Sequence, residues 1–91
     1  MMTVTEFVYP GCPYCAQMRG ILKELREEIP EMQSVEIREI DEVADAETAG
    51  RYDYYYTPSF FAEDRKIYEA HPSRSRAEAK SMMKTALLNL L

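Results

Sequence analysis

The chain has 91 residues, of which 46% are hydrophobic and 30% charged, a balance typical of one small globular domain rather than a disordered segment. A net charge of −5, and the lack of any apolar run of about 20 residues, argue against nucleic acid or a membrane as partner. The length predicts one domain, residues 1–91, which we expect to be monomeric. The first residues lack the basic and apolar regions of a signal peptide, so we predict a location in the reducing cytoplasm. Paired cysteines are there more often catalytic than structural.

The first predicted element is a strand at residues 3–9, which is rich in β-branched and aromatic residues and ends at Pro10-Gly11. An amphipathic helix follows the cysteines and ends at Pro30. Its apolar residues recur at helical spacing, at Met18, Ile21, Leu22, Leu25 and Ile29.

Between these two elements lie both cysteines of the chain, Cys12 and Cys15, which we expect to face solvent. If Pro13 occupies the first helical turn, Cys12 lies at the helix N-terminus and Cys15 one turn further on the same face. Free backbone N–H groups and the helix dipole then favour the thiolate of Cys12, the species that attacks a disulfide. The spacing predicts Cys12 as nucleophile and Cys15 as the thiol that resolves the mixed disulfide.

Two other uses of the cysteine pair compete with this interpretation. A structural disulfide over so short a loop would constrain the unfolded chain little. A zinc site normally needs four ligands, and the chain adds only the distant His71, to which we assign no role.

The middle of the chain alternates strands with one short helix. Strands are predicted at residues 34–41, 59–63 and 66–70, and the last two form a hairpin. A helix is predicted at residues 44–51, with Asp45 or Asp41 as its N-cap. Four tyrosines lie within residues 52–56, which we interpret as a β-prone segment entering a turn, with some rings packed. The alternative is that one or two of these rings line a groove beside the cysteines.

A terminal helix completes the predicted fold. It begins near Ser75, with Ser73 or Ser75 as N-cap, and we assign its Met82 and Met83 to the core. The element order β-α-β-α-β-β-α predicts an α/β fold, in which helices flank a mixed four-stranded central sheet with a parallel first pair.

The segment Cys12-Pro13-Tyr14-Cys15 after a first strand, Thr57-Pro58 before a third strand and this element order resemble the thioredoxin-fold superfamily. The Pro-Tyr dipeptide and the short length resemble the glutaredoxins within it. The resemblance implies a thioredoxin fold and a thiol–disulfide oxidoreductase with no bound cofactor, acting on protein or small-molecule disulfides. It also implies a cis bond before Pro58 and substrate contacts at Pro13, Tyr14, Thr57 and Pro58, with the Thr57 backbone pairing with an extended substrate.

Two electron donors remain open on these residues. The Cys-Pro-Tyr-Cys motif implies glutathione, yet the Gly-Gly pair that glutaredoxins usually carry after the hairpin is absent from residues 70–75. Tyr9 and Pro10 stand where glutaredoxins tend to carry Lys or Arg, although Ser73 and Ser75 could still help bind an anion at a helix N-terminus. The second donor is a flavoprotein reductase of the thioredoxin-reductase type.

Glu6 supports the second donor, because thioredoxins carry a buried Asp at this distance before the first cysteine, where it handles protons for the second. Glu6 shares a strand face with Val4 and Val8, so burial would raise its pKa and make it a proton acceptor for Cys15. The alternative is that Glu6 is solvated near a sheet edge. A different class also stays open, a glutathione-dependent iron–sulfur cluster carrier with thiolate ligands.

Overall fold

The structure of the protein, a computed structural model, describes residues 2–91; the predicted domain 1–91 also includes Met1, which lies outside the described residues. Along the chain lie β1 (Met2–Val8), α1 (Pro13–Glu28), a 3₁₀ helix (Pro30–Ser34), β2 (Val35–Asp41), α2 (Ala46–Ala49), β3 (Ser59–Ala62), β4 (Arg65–Glu69) and α3 (Arg76–Leu88). The predicted α/β order is confirmed. The 3₁₀ helix is an addition, which arises because a proline that ends one helix also fits the first turn of the next.

The four strands form one sheet in the order β2-β1-β3-β4. β1 and β2 run parallel because α1 crosses between them, whereas β3 runs antiparallel to both β1 and β4. The sheet is therefore mixed, as predicted, and β1 is one of its two inner strands. In this register Glu6 stands opposite Glu39 of β2 on one side and opposite Phe60 of β3 on the other.

The two faces of β1 pack against different partners, because successive side chains of a strand point to opposite faces. Val4 packs in the larger core, together with the buried faces of α1 and α3. Phe7 packs on the opposite face with Phe61 and Ala49 of α2, and Ile40, Tyr52 and Tyr54 cover this second cluster. α1 and α3 thus cover one face of the sheet, and α2 with the tyrosine-rich loop covers the other.

The tyrosine-rich segment is a loop and not a strand, so the predicted β character of residues 52–56 is wrong. The interpretation that some of its rings are packed is confirmed. The Tyr52 and Tyr54 ring centroids lie 4.8 and 4.9 Å from that of Phe7, and the Tyr54 hydroxyl donates a hydrogen bond of 2.6 Å to Glu42. Packing on Phe7 holds this loop in place without strand pairing.

The terminal helix corrects one predicted core residue. Met83 is fully buried, but Met82 is 46% exposed. Neighbouring residues of a helix point about 100° apart, and the core-facing side of α3 includes Met83 but not Met82.

The helix caps follow their local sequences. Asp45 caps α2 by accepting the Thr48 N–H at 3.3 Å. Ser75 caps α3 and forms a capping box with Glu78, in which each side chain accepts the backbone N–H of the other residue.

Within residues 2–91, none of the helices has the length and hydropathy that a bilayer span requires.

Candidate active site

The turn between β1 and α1 places both cysteines at the C-terminal end of β1. Gly11 has φ of +80°, a conformation that L side chains rarely adopt, and the Cys12 N–H donates to the Tyr9 carbonyl at 3.3 Å. Pro13 then begins α1, so Cys12 is its N-cap residue, as the sequence predicted. Cys12 and Cys15 form a disulfide, with their Cα atoms 5.2 Å apart.

The start of α1 is arranged to stabilise negative charge on the Cys12 sulfur. The backbone N–H of Cys15 donates to Cys12 Sγ at 3.1 Å, and no acidic residue lies in the first turn. This N–H belongs to the group that a helix leaves unpaired at its N-terminus, where the dipole is positive. When the disulfide is reduced, the same contacts favour a thiolate on Cys12.

Thr57 and Pro58 lie directly against this sulfur. The Thr57–Pro58 peptide bond is cis. Cys12 Sγ lies 3.6 Å from the Thr57 carbonyl oxygen and 3.4 Å from the Thr57 hydroxyl oxygen. Tyr14, Pro58 and His71 line a small pocket of about 10 Å³. The structure thus brings Cys12, Cys15 and Thr57 together, with Tyr14 and Pro58 adjacent to one another.

The expectation that the cysteines face solvent is wrong for most of their surface, since Cys12 is 5% and Cys15 2% exposed. They form a small buried cluster with Val8 at the end of β1. The strand end and the Thr57 loop cover them. Only a small part of the Cys12 surface is therefore open to solvent.

Glu69 holds the loop that carries Thr57. Its Oε2 accepts the backbone N–H groups of Tyr55 and Tyr56 at 2.6 and 2.7 Å, and its Oε1 pairs with Lys66 Nζ at 2.7 Å. The pKa of Glu69 is lowered although burial opposes this, because Lys66 and the two backbone N–H groups stabilise the carboxylate. An ionised Glu69 thus fixes the two residues that precede Thr57.

Glu6 is buried beneath the site, with 1% of its surface exposed. Neither of its carboxyl oxygens has a hydrogen-bond partner among residues 2–91, so it is not bonded to Cys15. Its pKa is raised to about 8, first by burial and second by the Glu39 carboxylate, while the Arg19 guanidinium opposes this rise. Glu6 is therefore mostly protonated at neutral pH, and in the oxidised protein it makes no hydrogen bond to either cysteine.

At the N-terminus of α3, where Ser73 and Ser75 could help bind an anion, the chain itself supplies hydrogen-bond partners. The Glu78 carboxylate accepts the Ser75 N–H at 2.9 Å. Ser73 instead hydrogen-bonds to His71 Nδ1 at 2.7 Å. Arg74 donates to the Glu69 carbonyl at 2.6 Å and lies over the Tyr68 ring, 5.3 Å from its centroid. A carboxylate from a ligand could bind the Ser75 N–H only by displacing the Glu78 side chain.

Three residues near the site had no signal in the sequence, namely Arg19, Glu39 and Glu69. Their roles depend on strand register and loop path, which join residues far apart in the chain.

Among the described residues, no group of three or more His, Cys, Asp or Glu side chains is placed to hold a metal ion.

Solved structures with the same fold were found by comparison. Human ERp44 in a zinc-bound form is 15% identical, matches 97% of this chain and 26% of its own, and has a TM-score of 0.58. The first two thioredoxin domains of Saccharomyces cerevisiae Eps1p are 19% identical over 93% of this chain and 33% of theirs, with a TM-score of 0.57. A mutant thioredoxin from Halobacterium salinarum NRC-1 is 16% identical over 94% of this chain and 74% of its own, with a TM-score of 0.59.

These likenesses establish the thioredoxin fold. The chain spans only about a quarter of the length of ERp44 and a third of the Eps1p structure. The comparison with curated protein sequences found no match. The sequence model of the glutaredoxin family matches residues 2–67, which is most of the chain. Together with the Cys12–Cys15 pair, this match supports a thiol–disulfide oxidoreductase activity. The chain therefore belongs to the glutaredoxin family.

Proposed function

We propose that this protein reduces disulfides in protein substrates by dithiol exchange, with Cys12 as nucleophile and Cys15 as resolving thiol. The observation that carries the proposal is the position of Cys12 as N-cap of α1, where its sulfur accepts the Cys15 N–H and lies against Thr57. An N-terminal thiolate is the reactive form in disulfide exchange. The cytoplasmic location and the monomeric state stay predictions.

The proposed reaction begins with the reduced protein. The Cys12 thiolate attacks one sulfur of the substrate disulfide, and the other substrate sulfur leaves with the bonding electron pair and takes a proton from water. The Cys15 thiol then loses its proton, and its sulfur attacks Cys12 Sγ. The bond from Cys12 to the substrate breaks, and the second substrate thiolate leaves. The substrate gains two electrons, and the Cys12–Cys15 disulfide forms.

Glu6 is the proposed acceptor of the Cys15 proton. A pKa of about 8 lies close to the value of about 8.5 for a free thiol, so proton transfer between the two groups is nearly balanced. Neither carboxyl oxygen of Glu6 has a hydrogen-bond partner within residues 2–91 that would compete for the proton. Only the ionised fraction of Glu6 accepts a proton, so the resolving step should accelerate as the pH rises towards 8.

For the electron donor, we favour a flavoprotein reductase of the thioredoxin-reductase type. Two features support it: Glu78 already occupies the Ser75 N–H at the start of α3, and Glu6 is buried in the strand beneath the cysteines. Glutathione is the second candidate, and the glutaredoxin family match favours it.

The test of the proposed function uses insulin disulfides as the probe, with NADPH and a thioredoxin reductase in one assay and glutathione in another. Cys12→Ser should abolish reduction in both assays, and Cys15→Ser should accumulate a mixed disulfide that mass spectrometry detects. Full activity of Cys12→Ser would refute the proposed mechanism. Fast stopped-flow reduction of the oxidised protein by glutathione, with slow reduction by the reductase, would reverse the choice of donor.

Glu6→Gln tests the proton step separately. The variant should form the mixed disulfide at the normal rate but resolve it more slowly, because the amide cannot accept a proton. Glu36→Gln, at an exposed position on β2, is the matched control and should behave as the unmodified protein. Equal resolving rates in the two variants would remove Glu6 from the mechanism.

A further inference from the structure

A groove of about 400 Å³ runs between α1 and β2, and the buried Glu6 forms part of its wall. Leu22 and Ile37 supply apolar surface, and the remaining lining residues are polar. The groove lies on the face of the sheet that α1 covers, because Glu6 and Val4 share that face. The charged side chains lining it besides Glu6 are Arg19, Lys23, Arg26, Glu27 and Glu39.

An ion pair crosses this groove on the solvent side of Glu6. Arg19 Nε donates to Glu39 Oε2 at 3.3 Å, and Arg19 Nη2 donates to Glu39 Oε1 at 3.2 Å. The two bonds join the middle of α1 to β2. Glu39 is also the direct neighbour of Glu6 in the parallel β1–β2 register, so both carboxyl groups point to the same face of the sheet.

Given that Glu6 accepts the proton of Cys15 in the proposed reaction, we propose that Arg19 and Glu39 are positioning residues that set how readily Glu6 releases that proton. Neither residue is among those placed against the disulfide. Both act on Glu6 through space, from the two elements that form the groove. The pair thereby adjusts the pH range in which Cys15 can resolve the mixed disulfide.

The two members of the pair have opposite effects on Glu6. The Glu39 carboxylate disfavours a second negative charge beside it, whereas the Arg19 guanidinium favours one. The intact pair holds these effects in partial balance, and burial of Glu6 is the larger influence. Because both partners are about half exposed, their bond itself contributes little to folding stability. Removal of either charge should therefore change Glu6 without unfolding the protein.

The other charged residues near Glu6 are the same in the Arg19 and Glu39 variants as in the unmodified protein. α1 contributes Lys23, Arg26 and Glu27 to the groove wall. The 3₁₀ helix contributes only the uncharged Gln33, and β3 places the apolar Phe60 opposite Glu6. Substitution of Arg19 or Glu39 thus alters one charge in a constant surrounding.

The test measures the Glu6 carboxyl directly in the oxidised protein, by ¹³C NMR titration of Arg19→Gln and Glu39→Gln. Loss of Arg19 should raise the Glu6 pKa and loss of Glu39 should lower it, each by about one pH unit, a tenfold change in proton affinity. The pH profile of the resolving step, followed by decay of the mixed disulfide in single turnover, should move in the same two directions. Arg38→Gln and Glu36→Gln are matched controls, because alternation along β2 places them on the other face of the sheet.

Shifts of the Glu6 titration in the same direction in both groove variants, or no larger than in the controls, would overturn the proposal. So would opposite shifts of the titration that leave the pH profile of the resolving step unchanged. These results are distinct from failure of the proposed function. The titration uses the oxidised protein and needs no turnover, whereas the proposed function fails if Cys12→Ser stays active.

Discussion

Burial of Glu6 makes the folding stability of the oxidised protein depend on pH. In the folded chain the pKa of Glu6 is about 8, and in the unfolded chain it takes its ordinary value of 4.5. Between these values the folded state holds a proton that the unfolded state has released, so rising pH favours unfolding. The contribution of Glu6 is complete below pH 4.5 and is lost as the pH rises to about 8.

The size of this loss follows from the difference between the two pKa values. Each pH unit in this range removes about 1.4 kcal/mol from the free energy of unfolding, which makes the full loss at most about 5 kcal/mol. A net stability of about 5–15 kcal/mol is usual for a domain, so the change is large. Glu6→Gln cannot ionise and should escape this loss. The variant should therefore be more stable than the unmodified protein at pH 8.5 by several kcal/mol, with a much smaller difference at pH 5.

The assay is equilibrium unfolding in urea at pH 5, 7 and 8.5, followed by circular dichroism of the oxidised proteins. The pKa values of Glu24 and Glu69 are lowered by their ion pairs and hydrogen bonds, so these groups affect stability only below the range in question. Glu36→Gln, an exposed substitution on β2, should keep the pH dependence of the unmodified protein. Parallel pH profiles for Glu6→Gln and the unmodified protein would refute the assignment of a raised pKa to Glu6.

Two further predictions concern the loop and the helix near the cysteines. Glu69→Gln should weaken the hold on the Tyr55 and Tyr56 amides, because a neutral amide oxygen accepts these bonds less strongly than a carboxylate does. We expect faster hydrogen exchange at both amides, a higher KM for a protein disulfide and a loss of about 1–3 kcal/mol in stability. Ser75→Ala should cost about 1 kcal/mol through loss of the N-cap of α3, measured as a lower urea midpoint.

Each of these two predictions has a control in the chain. Lys66→Met removes the ion pair of Glu69 and the bond from Lys66 to the Asp53 carbonyl, but it leaves the bonds from Glu69 to the Tyr55 and Tyr56 amides. The exchange rates of these two amides should therefore change less than in Glu69→Gln. An exchange rate that Glu69→Gln does not alter would show that the loop is held by other contacts. Ser73→Ala removes a bond to His71 outside the helix, and a loss equal to that of Ser75→Ala would contradict the capping assignment.

Features of this protein that depend on neighbouring residues could be predicted from the sequence. Pro13 and the spacing of Cys12 and Cys15 act within one helical turn, so the start of α1 follows from local geometry. The same holds for the face of β1 that carries Glu6, because alternation along a strand needs no knowledge of its partners. The adjacent methionines of α3 mark the limit of such reasoning, because the apolar pattern alone did not separate the buried Met83 from the exposed Met82.

Features that depend on how distant segments meet could not be predicted. The position of Glu39 beside Glu6 requires the β1–β2 register, and a slip of one residue would place Arg38 or Ile40 there instead. Glu69 lies at the end of β4 and bonds to the amides of Tyr55 and Tyr56 only because the loop before β3 lies beside that strand end. In both cases the sequence separation is large, and no periodic pattern links the partners.

The alternation of β1 implies an unequal tolerance to two kinds of sequence change. A substitution in this strand alters one side chain on one face. Deletion of Val8, which follows Glu6 and Phe7 and precedes the cysteine turn, would shift the preceding residues by one position along the sheet. Glu6 and Phe7 would then exchange faces, sending the acid towards the tyrosine rings and the ring towards α1. The hairpin turn after β3, where Glu63 and Asp64 lie at the surface, carries no such constraint. Insertions should thus be accepted at that turn, whereas a deletion within β1 should be rejected.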